Sequence, residues 1–194
     1  MAKILGNFRL ALLIGIALLV AVMVGLHRGM MDATYWMQFS RFLHVFVGVL
    51  WIGLLYYFNF VQIPTMPSVP AELKPGVTKY IAPVALFWFR YAALVTVLVG
   101  LILAELIQPG YLKTALLLRQ PATTIGIGMW LGIIMAANVW FIIWPNQKKA
   151  LGLVEADDST KAAAAKTAMV ASRLNTLLSI PMLYAMASFQ TLPR

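Results

Sequence analysis

The chain contains four stretches of about 17–24 residues that are almost free of charge, and no other property constrains its fold as tightly. A helix rises about 1.5 Å per residue, so each stretch is long enough to cross a hydrocarbon core of about 30 Å. The runs are Leu10–Leu26, Phe42–Gln62, Pro83–Leu106 and Thr124–Trp144. Of the 194 residues, 62% are hydrophobic and only 11% charged, against about 25% charged in soluble domains. A water-soluble fold of this length has too little interior for that much apolar surface, so lipid is the natural solvent. A fifth span is expected at about 168–189, in a helix that begins in water after Asp158 with an Ala-rich stretch and enters the membrane near Arg173. The fold class is therefore an all-α integral membrane bundle of about five helices (about 10–26, 42–62, 83–106, 124–144 and 168–189), in one domain spanning 1–194.

Punctuation supports these limits. Pro64, Pro67, Pro70 and Pro75 mark a loop after the second helix, and Pro83 suits the first turn of the third. Pro109–Gly110 closes the third helix, Pro145 stops the fourth and Pro181 is expected to kink the fifth. The first run follows Lys3 and Arg9 without a small-x-small cleavage site before His27, and is read as a retained anchor.

The net charge of +9 sits in short clusters between the apolar runs. That is how membrane proteins place Lys and Arg, and it does not form the basic, aromatic-interleaved stripe of a nucleic-acid binder. With the N-terminus cytoplasmic, Lys3, Arg9, Lys74, Lys79, Lys148, Lys149, Lys161, Lys166 and Arg173 fall inside. Arg28, Arg41, Lys113, Arg119 and Arg194 fall outside. The excess favours a cytoplasmic N-terminus in a bacterial inner membrane. The expected partners are the bilayer and either other membrane subunits or further copies of the chain.

The absence of cysteine excludes iron–sulfur clusters and the C-x-x-C-H attachment of a c-type haem. A redox metal must then rely on histidine, and the chain has only His27 and His44. His44 shares a helix face with Gly48 and Trp51. Glycine one turn from a histidine leaves room for a flat macrocycle, and imidazole is an axial ligand of non-covalent haem b iron. The same spacing also suits a histidine that hydrogen-bonds across a closely packed bundle. His27 ends the first helix at the same membrane face at which His44 opens the second, so a shared haem is a further possibility.

Asn59, Gln62, Arg90, Asn138, Arg173 and Asn175 fall at similar depth towards the opposite face. A charge such as Arg90 inside a spanning helix costs about 3 kcal/mol unless paired or hydrated. Two readings follow: a polar pocket for an anion, or hydrogen-bonded glue between helix ends with Arg90 snorkelling to the interface. Arg90 is expected against Asn138, Arg173 or Asn175, and Glu105 lies too far along the third helix to pair with it.

LHVFVGVLWIGLLYYFNFVQ (Leu43–Gln62), ALFWFRYAALVTVLVG (Ala85–Gly100), NVWFIIWPNQKKALG (Asn138–Gly152) and SRLNTLLSIPML (Ser172–Leu183) resemble the urate oxidase N-terminal domain family, the membrane domain of bacterial urate hydroxylase. The histidine helix is also similar to that of the CopD and HemJ-like membrane proteins, which implies haem on His44. Urate-oxidising members carry a C-terminal cytochrome c domain, and this cysteine-free sequence has no such attachment site. The resemblance thus implies the fold first. Functionally it implies a haem b-type electron-transfer or redox-associated subunit. The alternatives are a non-catalytic accessory subunit of a larger membrane complex and a urate-type small-anion oxidase acting through Arg90.

Overall fold

The computed structural model describes residues 2–189, the side chain of Lys3 excepted, and it is helical with no strand among them. After a single turn at Ala2–Leu5 come α1 (Phe8–His27), α2 (Ala33–Ser68), α3 (Lys74–Ile107), α4 (Tyr111–Leu116), α5 (Thr123–Ala150) and α6 (Asp158–Ser188). Helices α1, α2, α3 and α5 are long and apolar enough to cross a membrane. Helix α6 is not among those four; its last 18 residues carry Arg173, Asn175, Thr176 and three serines among the apolar ones. Arg194, counted above on the outer side, lies outside the described residues.

The chain divides into two compact units, 1–39 and 40–194. No change of composition marks that division. In the first unit Asn7 caps α1, its Oδ1 accepting from the backbone N–H groups of Arg9 (3.1 Å) and Leu10 (3.3 Å). No residue of α1 is buried, although nearly all are apolar. Asp32 accepts from Tyr35 N at 2.9 Å and starts α2 at Ala33, well before Phe42. Hydropathy misses this first part of the helix because Thr34, Gln38 and Arg41 are polar yet compatible with helix.

In the second unit the helices outrun the apolar stretches at their prolines. Pro64, Pro83 and Pro145 do not stop or start helices as expected. Each follows a wide π-helical segment, at Tyr57–Gln62, Val77–Ile81 and Val139–Ile143. There the backbone bonds span five residues: Ile63 N to Phe58 O, Ala82 N to Val77 O and Trp144 N to Val139 O. The extra residue in the turn accommodates the proline, which has no N–H to donate, so the helix continues. Pro181 likewise lies inside α6. Between Ser68 and Lys74 a short connection remains where a long proline-rich loop was expected.

The core of this unit joins Trp51 and Leu55 of α2, Phe89 and Ala93 of α3, and Met135 and Val139 of α5, each at most 2% exposed. Helix α6 contributes small residues, among them Ala168, Ser172 and Ser179, which let its backbone approach α5 closely. A Cβ on Gly128 would lie 3.2 Å from the Ala185 methyl. At Gly126 a Cβ would run into the carbonyl of Ala115, so glycine is what allows α4 to lie on α5. The cap of α6 is Asp157 and not Asp158. Its carboxylate accepts from Ser159 Oγ (2.6 Å), Thr160 N (2.8 Å) and Thr160 Oγ1 (2.7 Å), which hold its pKa well below the usual carboxylate range. Asp158 is instead in the first turn, 3.6 Å from Lys161.

Candidate functional site

His44 of α2 is built into a cavity of about 540 Å³ within the second unit. Its Nδ1 lies 2.9 Å from the backbone carbonyl of Thr96 in α3. A carbonyl can only accept, so Nδ1 carries the proton and the lone pair is on Nε2. Nε2 has no protein partner among the described residues. This is the arrangement that metal-ligating histidines adopt, with the far nitrogen donating to an outer acceptor that sets tautomer and ring orientation.

The imidazole rests on Gly100. A Cβ there would come within 2.7 Å of His44 Cε1 and 3.0 Å of Nδ1, closer than side chains approach. Gly48, Gly53 and Gly132 line the same cavity. A Cβ on Gly53 or Gly132 would meet nothing within 4 Å, and one on Gly48 would touch only the Thr96 methyl at 3.7 Å. Missing side chains on α2 and α5 therefore create part of the space. The rest of the wall is mostly aliphatic and methionine, with Met129, Met182 and Met186 among it. Ligand cavities commonly hold about 300–1,000 Å³ and combine apolar walls with a few polar groups. Here the polar residues in the lining are Arg41, His44, Thr96 and Tyr111. Trp51 is 2% exposed, and its Nε1–H is shut off from solvent with no acceptor among the described residues.

His44, Gly48 and Trp51 thus share one cavity. His27 belongs to the first unit, where its ring lies 5.5 Å from that of Tyr35 and its buried Nδ1 has no partner among the described residues. Arg41, Thr96, Gly100 and Gly132 were not singled out from sequence. Isolated glycines inside helices cost about 1 kcal/mol against alanine, and that was the available signal for Gly100 and Gly132.

The deeper polar residues separate into two groups. Asn59, Asn138 and Asn175 join a seam between helices. Asn138 Nδ2 donates to Asn175 Oδ1 (2.7 Å) and to Ala171 O (2.8 Å), and Asn175 Nδ2 donates to Met135 O (3.0 Å). Asn59 Nδ2 donates to Ser172 Oγ (2.8 Å), and Tyr56 and Ser179 share a hydrogen bond of 3.0 Å further along. Arg173 is exposed and takes no part, while Gln62 has a buried Oε1 without a partner among the described residues.

Arg90 stands apart from the asparagines it was expected to meet. Its guanidinium carbon lies 3.7 Å from the Trp144 ring centroid, with Tyr91 at 5.2 Å and Phe87 at 5.6 Å. Side chains on a helix lean towards its N-terminus, and that tilt carries Arg90 to Trp144 beyond Asn138. Glu105, as expected, does not reach it and accepts from Gly110 N at 2.9 Å.

Residues 106–190 match the family model described as urate oxidase N-terminal. No curated protein and no solved structure matches the chain. The matched segment contains α4, α5, α6, the Asn138–Asn175 pair and the Gly132 and Met186 walls of the cavity; His44 lies before it.

Proposed function

We propose that this chain, which carries the urate oxidase N-terminal signature over 106–190, is an integral membrane subunit that holds haem b on His44 and serves electron transfer. The observation that supports the reading is the orientation of His44: Nδ1 is engaged by Thr96 O, and Nε2 remains available beside an apolar cavity of about 540 Å³. The residues suit the group. Haem supplies a one-electron change at iron when bound, and the protein's part is to position and insulate it. The Thr96 carbonyl fixes the tautomer and the orientation of the imidazole. The apolar wall, Trp51 included, excludes water, and Arg41 is the cation in the lining for an acidic substituent. Protein purified in mild detergent and titrated with haem is expected to develop a Soret band and a reducible α-band. A featureless spectrum from folded, full-length protein overturns the reading.

A non-catalytic accessory subunit is the second reading. The observation favouring it is the Asn59–Asn138–Asn175 seam, whose donors are spent on protein acceptors joining helices.

The same proposal places the chain in a bacterial inner membrane with a cytoplasmic N-terminus, on the distribution of Lys and Arg. Alkaline phosphatase fused after Arg194 is expected to be active, and a fluorescent protein fused there to be exported and dark. Bright cytoplasmic fluorescence from a stable fusion would show that the orientation or the number of spans is wrong.

A further inference from the structure

We infer that Arg90, Trp144 and Lys148 form a binding site for the phosphate of an anionic phospholipid. The inference rests on the membrane placement proposed above but not on haem, and it concerns residues away from the His44 cavity. Arg90 is half-buried in the apolar helix α3, and its Nη1 is closed to solvent without a hydrogen-bond partner among the described residues. The only ion pair among the described residues is Lys161–Asp158, so no carboxylate offsets the Arg90 charge. The chain has six acidic residues. Asp32 and Asp157 cap helices, Glu105 binds Gly110 N, Asp158 faces Lys161, and Glu72 and Glu155 lie in connections. Among the described residues, then, no carboxylate supplies the counter-charge.

A second cation stands on the same indole. Lys148 Nζ is 5.7 Å from the Trp144 ring centroid, against 3.7 Å for the Arg90 guanidinium. Stacking on Trp144 steadies the guanidinium plane without using its N–H groups, so Nε and Nη2, which are not sealed as Nη1 is, remain for an acceptor. The Trp140 indole bonds to the Arg90 backbone carbonyl at 3.1 Å and holds α3 against α5 at this point. Tryptophan beside lysine at the end of an apolar helix is the chemistry of the headgroup layer. A planar, fork-shaped donor beside a flexible ammonium matches a phosphodiester, and basic pockets between helices on the cytoplasmic side select acidic headgroups.

The test begins with carbonate washing of membranes containing the full chain; release into the soluble fraction would overturn the membrane placement itself. Protein that stays is delipidated in neutral detergent and titrated with phosphatidylglycerol and phosphatidylcholine, with bound lipid counted by native mass spectrometry. Phosphatidylglycerol is expected to bind at least ~10-fold more tightly than phosphatidylcholine. Arg90→Gln should remove the preference, Lys148→Gln should weaken it several-fold, and Lys166→Gln should leave it intact. Arg90→Lys, which keeps the charge without the fork, should fall between parent and Arg90→Gln; it serves if Arg90→Gln loses its helical signal. Equal binding of the two lipids, or a full preference in folded Arg90 variants, overturns the site. Arg90-dependent binding of inorganic phosphate as tight as that of phosphatidylglycerol overturns the lipid as its source.

Discussion

Gly100→Ala is expected to lower haem binding about 10–100-fold while leaving the helical content unchanged, the usual cost of losing an outer partner of a ligating histidine. The new methyl would sit 2.7 Å from His44 Cε1. Relief comes from the imidazole, which is the mobile party, and its departure breaks the 2.9 Å contact of Nδ1 with Thr96 O. Nε2 then loses its direction. His44→Ala removes the ligand altogether and should abolish the Soret band. Gly132→Ala supplies the contrast. Its methyl meets nothing within 4 Å, so the empty protein should be as stable as the parent or up to about 1 kcal/mol more so. Any loss of haem affinity there reports that the group reaches α5. The measurements are a haem titration by Soret absorbance and thermal unfolding by circular dichroism on the same samples. Parent-like affinity in Gly100→Ala, or an unchanged spectrum in His44→Ala, would show that His44 is not the ligand.

Asn175→Leu is expected to destabilise the second unit by about 2 kcal/mol, between the cost of stranding buried polar groups and the smaller values met in bilayers. Asn175 is fully buried. The substitution removes the 2.7 Å bond from Asn138 and the 3.0 Å bond to Met135 O while keeping the number of side-chain heavy atoms. Asn138→Leu should cost a similar amount, because it strands Asn175 Oδ1 and gives up the bond to Ala171 O. The two residues share a hydrogen bond, so the double variant should lose less than the sum of the singles. Unfolding in mixed micelles checks both statements. If the asparagines served a ligand pocket instead, the singles would unfold like the parent in the absence of ligand.

Where the helices lie was legible because hydrophobicity belongs to each residue separately. The uncharged runs at Leu10–Leu26 and Thr124–Trp144 announce α1 and α5 whatever surrounds them. Helix ends were less legible. Prolines were read as stops, yet a one-residue register change before Pro64, Pro83 and Pro145 turns each into an interior residue. A hydropathy window cannot register such a change, and it also passed over the polar first turns of α2.

The sequence alone determined that the chain is all-helical and apolar, that His44 and His27 are its only imidazoles, and that cysteine chemistry is absent. It also brought Asn59, Asn138 and Asn175 to a common depth, since depth follows from position along a helix at about 1.5 Å per residue. Tertiary structure decided everything that depends on helix rotation. The carbonyl that orients His44 and the glycine beneath it come from α3, at Thr96 and Gly100. Arg90 turned from the asparagines to Trp144 because its side chain follows the tilt of its own helix. Depth is a one-helix quantity and can be counted from the sequence. Azimuth is set jointly by the side chains of two helices packing into each other's gaps, and only the folded bundle contains that information.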